Sequence, residues 1–194
     1  LRVRGECRET YAEMGVLASI LGLLERVEEA QAYYKQVLDY CLIHLGQDHY
    51  MTNTTYNDLG SVYFKAEDYE KSALHIRLSL EISERIYGNN HATTLASRAN
   101  YALVLKYLGN TDESLKEMQS VKAIRLRQLG PDHPDTLQVM FNIARLKSYV
   151  EDFDAAVIDH VQVLDGRRRL WGRDHPQTLE SLYRVSSLLH DLER

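Results

Sequence analysis

Apolar residues recur along this chain at three- and four-residue steps, and period-two alternation is nowhere sustained. The pattern predicts helices and no strand. From about Glu28 to His44, the residues Ala30, Tyr33, Tyr34, Val37, Leu38 and Cys41 share one helical side. From about Met51 to Lys65 the stripe is Tyr56, Leu59, Val62 and Tyr63, as in a helix that buries one face. After a break at Ala66-Glu67-Asp68 the period restarts at Tyr69 and runs to about Ile86. There Ala73, Ile76, Leu80 and Ile82 lie inward, with Glu70-Lys71 and Glu84-Arg85 outward. Equivalent breaks fall at Leu108-Gly109-Asn110 and Val150-Glu151-Asp152. Glycine there relieves the left-handed cost of closing a helix, and Thr111 is expected to cap the helix that follows.

Each pair of helices is preceded by the same short motif. Glycines stand at Gly46, Gly88, Gly130 and Gly172, histidines at His49, His91, His133 and His175, and threonines at Thr52, Thr94, Thr136 and Thr178. Every series steps by 42 residues without insertion or deletion. A fixed register of this length marks a repeat array, in which each unit buries its apolar face against its neighbours. The units are 1–44, 45–87, 88–129, 130–171 and 172–194, forming one domain over 1–194. The first is degenerate, keeping Thr10 in phase with Thr52 and Leu17-Ala18 in phase with Leu59-Gly60, Tyr101-Ala102 and Ile143-Ala144. The last stops after one helix. The expected class is all-α, an α-solenoid of stacked helix-turn-helix units.

Packing follows from the same register. Gly60, Ala102, Ala144 and Ser186 are small enough for close helix approach, and Tyr69 and Phe153 are large enough to fill the space where a second helix restarts. Gly166 stands where other units have Tyr40, Ile82 and Ile124. Its replacement by alanine is expected to gain about 0.5–1 kcal/mol from helix propensity. Leu179, Leu182, Val185, Leu188 and Leu189 have no second helix to cover them, so the last helix is expected to self-associate or continue into further chain.

Composition narrows the function. A net charge of −5 argues against a general nucleic-acid surface. No run approaches the roughly 18 apolar residues of a membrane span. The start, Leu1-Arg2-Val3-Arg4, is neither a signal peptide nor an initiator methionine, so the chain reads as a piece of a longer protein. Two cysteines, Cys7 and Cys41, fit a reducing compartment and a cytoplasmic location. They are expected to approach one another as a thiol pair.

No chemistry emerges from the motifs. Zinc ligands lie about 2 Å from one ion, whereas equivalent positions on stacked helical pairs are separated by about 8–10 Å or more. The four motif histidines therefore read as helix-start residues, with Pro134 and Pro176 at the first turn and Asp, Thr and Ser serving the orphan donors. There is no nucleophile elbow, phosphate loop or dinucleotide fingerprint, so no enzyme, metal or cofactor is expected. Gly166-Arg167-Arg168-Arg169 with Arg173 is basic, but Arg85, Arg125 and Arg127 also end second helices, where cations complement the dipole. The run reads as a solvated helix end. The thirteen tyrosines fall mostly at inward positions and read as core.

Leu129-Gly130-x-Asp132-His133-Pro134-x-Thr136-Leu137, with Asn142-Ile143-Ala144 and Phe153-Asp154-Ala155-Ala156, resembles the 42-residue tetratricopeptide repeat of kinesin light chains and nephrocystin-3. The same repeat form resembles the sensor arrays of fungal and bacterial NACHT or NB-ARC signalling NTPases. The resemblance covers about residues 10–194, with Tyr50 and Ala92 replacing the motif proline. It implies a right-handed superhelix whose first helices line a concave groove for proteins or peptides. A non-catalytic binding scaffold is thus expected, the alternative being a ligand-sensing regulatory module of a larger NTPase of that type.

Register then names the groove. With Leu59-Gly60 and its equivalents directed to the partner helix, Asn57, Ser61, Phe64 and Lys65 fall on another face in the second unit. Leu103, Lys106 and Tyr107 do so in the third, and Phe141, Arg145, Ser148 and Tyr149 in the fourth, with Asn100 and Asn142 on the margin. Cations, amides and aromatics together suit an extended, acidic peptide.

Overall fold

The computed structural model describes residues 2–192, and the side chains of residues 9–192. Among these residues are nine helices and no strand. They form two compact units, residues 1–108 and 109–194. The first holds α1 (Arg2–Leu23), α2 (Val27–His44), α3 (Tyr50–Lys65), α4 (Tyr69–Tyr87) and α5 (Ala92–Tyr107). The second holds α6 (Thr111–Leu129), α7 (Pro134–Tyr149), α8 (Phe153–Trp171) and α9 (Pro176–Leu192). In each, consecutive helices pack on one another, and α1 also touches α3.

The 42-residue motif is a linker in which each residue has a separate task. Gly88, Gly130 and Gly172 end α4, α6 and α8 with φ of 81°, 85° and 84° and ψ of 165°, 172° and 179°, a region open essentially to glycine alone. Three residues on, the histidine is the N-cap of the next helix. Nδ1 of His49, His91, His133 and His175 accepts from the backbone N–H of Met51, Thr93, Asp135 and Gln177 at 3.2, 3.2, 3.1 and 3.3 Å. In these linkers the orphan donors thus go to histidine, not to the Asp, Thr and Ser that the sequence suggested. In two of the linkers the threonine turns the other way: Thr52 and Thr94 hydroxyls donate to the carbonyls of Gly46 and Gly88 at 2.7 and 2.8 Å. The imidazole is further held by ring contact, stacking on Tyr87 for His91 and on Trp171 for His175. A side-chain N-cap is typically worth about 1 kcal/mol.

The break within each pair also keeps register. Glu25, Glu67 and Glu151 have φ of 62°, 60° and 62°, and Gly109 has 82°. In three units a glutamate takes the left-handed conformation that glycine takes in the third. Thr111 is not the cap there: Asn110 is, without a side-chain cap bond, and Thr111 is the first helical residue.

In the first unit, Ala18 and Leu21 of α1, Ala30, Tyr34 and Leu38 of α2, and Leu59, Val62 and Tyr63 of α3 form a continuous core. Gly60 lies directly against α4, where a Cβ would stand 2.5 Å from Ile76 Cγ1. A buried polar relay joins α3 and α4: Asn53 donates to Ser83 at 2.8 Å and accepts from Ser79 at 2.6 Å. Cys41 is fully buried, which pushes its thiol pKa up. The side chain of Cys7, its expected partner, lies outside the described residues.

In the second unit, Leu137, Phe141, Ile143, Ala144 and Leu146 of α7 and Ala156, Val163 and Leu164 of α8 are buried, and the two helices pack on one another. Gly166 is helical, as expected, but a Cβ there would stand 2.5 Å from Leu137 Cδ2. It is a close-approach site and not simply a weak point. Val185 and Leu188 are 8% exposed, buried because α9 packs on α8, so only Leu179, Leu182 and Leu189 of the five uncovered residues expected there are exposed. Of the tyrosines, Tyr34 and Tyr63 alone are buried among the described residues. Tyr50, Tyr87, Tyr107, Tyr149 and Tyr183 are exposed, because their positions fall at helix ends or on outward faces.

Candidate functional site

In the first compact unit, the register places Asn57, Ser61, Phe64 and Lys65 on α3 and Asn100, Leu103, Lys106 and Tyr107 on α5. The structure brings several of these together. The Asn100 amide donates to Asn57 Oδ1 at 3.1 Å, and the Asn57 amide reaches Asp58 at 3.4 Å. Two turns away, Phe64 meets Tyr107 edge to face at 5.0 Å, and Tyr69 stacks on Tyr107 at 4.9 Å. These rings form an aromatic ledge across α3, α4 and α5, with Tyr107 42% exposed. The Lys106 ammonium lies 5.2 Å from the Tyr107 ring centroid, within cation–π range. Leu103, one turn before Tyr107 on α5, is half-buried. Two positions are engaged internally. Lys65 donates to the Gly22 carbonyl at the end of α1 at 2.9 Å, and Ser61 donates back to Asn57 O at 3.0 Å.

In the second compact unit, Asn142, Arg145, Ser148 and Tyr149 lie on α7. Asn142 Oδ1 accepts from Gln138 at 3.2 Å, and the Ser148 hydroxyl donates back to Ala144 O at 3.0 Å. Arg145 is half-buried and Tyr149 is exposed. Phe141 does not belong with them. It is 2% exposed, lying edge-on to His160 at 5.2 Å and under the Arg167 guanidinium at 4.3 Å. An aromatic ring at that register turns into the α7–α8 contact because burying its apolar area outweighs keeping it at the surface.

The basic run divides in the same way. Arg167 is 1% exposed, so the solvated-end reading fails for it. Its guanidinium donates to Gln177 O and to Ser181 Oγ, both at 2.8 Å, and so fastens α8 to α9. Arg125, one repeat earlier, makes the equivalent bond to Asp135 O at 2.9 Å. Arg169 pairs with Asp132 through two bonds of 3.0 and 2.6 Å, as Arg85 does with Asp48 two repeats earlier at 2.8 Å. Burial, followed by the positive charges of Arg184, Arg167 and Arg145, pushes His160 down to about 4 against the pull of Asp159. It is therefore neutral near pH 7, a core residue of α8.

Sequence reasoning passed over two residues. Asp58 is the register equivalent of Asn100 and Asn142, and burial raises its carboxyl pKa while the Asn57 amide opposes the shift. Arg184, the next equivalent, is exposed on α9. The signal was available in the 42-residue step: the two asparagines placed on the margin stand between Asp58 and Arg184, both charged. Among the described residues, no group of three histidine, cysteine, aspartate or glutamate side chains is arranged to hold a metal ion. None of their helices is long and apolar enough to cross a membrane.

Comparison with known proteins agrees with this architecture. No curated protein sequence matches the chain. The family model described as "Tetratricopeptide repeat" matches residues 11–85, 51–116 and 94–169. Among solved structures, a Podosopora anserina putative kinesin light chain with nearly identical TPR-like repeats superposes with a TM-score of 0.79 at 20% identity, covering 92% of this chain and 85% of that one. BtubC (BKLC) from P. vanneervenii gives 0.77 at 21% identity, covering 94% and 74%. The apo form of RapI gives 0.73 at 11% identity, covering 94% and 69%. With a family model spanning most of its length and a helical repeat of 42 residues, the chain belongs to the tetratricopeptide repeat family, whose fold is typical of protein–protein interaction scaffolds.

Proposed function

We propose that this protein is a non-catalytic scaffold that binds a partner protein or peptide through the polar faces of its first helices. The observation that supports this most is the arrangement on α3 and α5. The Asn57–Asn100 amide pair lies two helical turns from the Phe64–Tyr69–Tyr107 ledge along the same helices. Amides at half-exposed positions can pair an extended backbone, and the aromatic ledge can take an apolar anchor. On α7, Asn142, Arg145 and Tyr149 repeat the same chemistry. Lys106 and Arg145 give each face a cation, and so a preference for acidic side chains on the partner. Lys65, tied to the end of α1, and the buried Phe141 are left out of the proposal. Self-association belongs to the same reading, through Leu179, Leu182 and Leu189 on α9, and sedimentation across concentration reads it directly.

Charge reversal tests the assignment. In Lys106→Glu/Arg145→Glu, affinity for a partner captured from the native source is expected to fall about tenfold or more at moderate salt, with helicity and melting unchanged. Each single variant reads one face. Wild-type affinity in the double variant, at low and at moderate salt, would move the contact to another surface.

A further inference from the structure

Between α1, α2 and α3 lies a cavity of about 700 Å³, and one of its counterparts in the 42-residue register is filled. Phe141 fills the corresponding place in α7 by packing on His160 and Arg167. The residues at those three positions in the first repeat are Gly15, Tyr34 and Cys41. Where the ring of Phe141 would be, Gly15 has only hydrogen. A Cβ built on Gly15 meets nothing within 4 Å among the described residues, so this side of α1 faces the cavity.

The described walls of the cavity carry acidic groups. Among the described residues, its lining includes the carboxylates Glu9 and Asp58 and no lysine, arginine or histidine. Asp58 is half-buried. Among the described residues its hydrogen bond is the 3.4 Å contact from the Asn57 amide, and no cation of theirs pairs with it. A carboxylate drawn out of water without a counter-ion is costly, and burial accordingly raises its pKa. Three tyrosines also line the cavity, each held in place. Tyr11 stacks on Tyr40 at 4.1 Å, the Tyr34 hydroxyl bonds Ser19 at 2.8 Å, and Tyr50 lies against His49 at 4.6 Å. Aromatic faces attract cations. A planar guanidinium, weakly hydrated and with five donors, uses rings and carboxylate together better than a compact, strongly hydrated ammonium.

We propose that this cavity receives the guanidinium of an arginine side chain, with Asp58 as its counter-ion and the tyrosines as its walls. That the arginine is carried by a protein or peptide partner rests on the scaffold reading above; the chemistry of the cavity does not.

The test is a titration of the whole chain with acetyl-Ala-Arg-Ala-amide and with its neutral citrulline counterpart, followed by tyrosine ring chemical shifts. The arginine peptide is expected to shift the ring signals saturably and to bind at least fivefold more tightly than the citrulline peptide. Asp58→Asn is expected to remove that difference. Gly15→Leu is expected to abolish binding with melting unchanged or raised, because leucine enters the cavity and is the better helix former. Equal binding of the two peptides, arginine binding that survives both substitutions, or no saturable shift at millimolar peptide would each overturn the proposal. The two readings separate cleanly. A partner lost on Lys106→Glu/Arg145→Glu while the arginine peptide fails to bind removes the cavity and keeps the scaffold. Arginine binding that obeys Gly15 and Asp58, with no partner sensitive to Lys106 and Arg145, does the reverse.

Discussion

Phe141→Ala is expected to cost about 3–5 kcal/mol of folding stability, the range for removing a buried aromatic ring from a packed core. The ring is 2% exposed and lies between helices, not at their surface. Its loss removes apolar burial and leaves a void against His160. It also strips cover from Arg167, whose Nε already has no hydrogen-bond partner in its buried position. An uncovered buried cation is costly in its own right, so the upper half of the range is expected. Urea unfolding followed by far-ultraviolet circular dichroism measures the change. A loss under about 1 kcal/mol, accompanied by weaker partner binding, would return Phe141 to the surface where its register alone had put it.

The residues of α3 and α7 show what the sequence could and could not tell. Helix bounds were legible because two independent signals agree on them: the apolar period within each helix, and the Gly-x-x-His linker between pairs. The helix expected from Met51 to Lys65 runs Tyr50–Lys65, and the one expected from Tyr69 to about Ile86 runs Tyr69–Tyr87. Facing was less legible, because a 42-residue step equates positions without equating side chains. Asn57 and Phe141 are chemical opposites at the same register: one bonds Asn100 at the α3–α5 surface, the other sinks into the α7–α8 contact. Arg167 misled for a related reason. A guanidinium on a long stem at a helix end is usually solvated, yet here the next helix offers a carbonyl and a hydroxyl at the right distance. The cavity at Gly15 was invisible for want of contrast, since a missing side chain acquires meaning only once its equivalent is seen to be filled.

Gly60→Ala is expected to destabilise the first compact unit by about 1–2 kcal/mol, against the helix-propensity gain of about 1 kcal/mol that alanine brings. The added methyl would stand 2.5 Å from Ile76 Cγ1 and 3.2 Å from the Ile76 backbone nitrogen. Isoleucine is held near one χ1 rotamer in a helix, and Ile76 is 2% exposed, so the side chain cannot swing away. Relief requires α3 and α4 to separate, and overpacking of this kind costs about 1–3 kcal/mol. At Gly166 the obstacle is Cδ2 of Leu137, at 2.5 Å, with no backbone atom within 3.4 Å. A leucine terminus yields more readily than an isoleucine branch and a backbone nitrogen. Gly166→Ala is therefore expected to lose less than Gly60→Ala, but to show none of the gain that helix propensity alone would give. Paired urea unfolding of the two variants decides it. If Gly166→Ala is more stable than the parent by as much as about 0.5–1 kcal/mol, the propensity term alone governs that site. If Gly60→Ala gains as well, close approach of α3 to α4 is not what selects glycine at position 60.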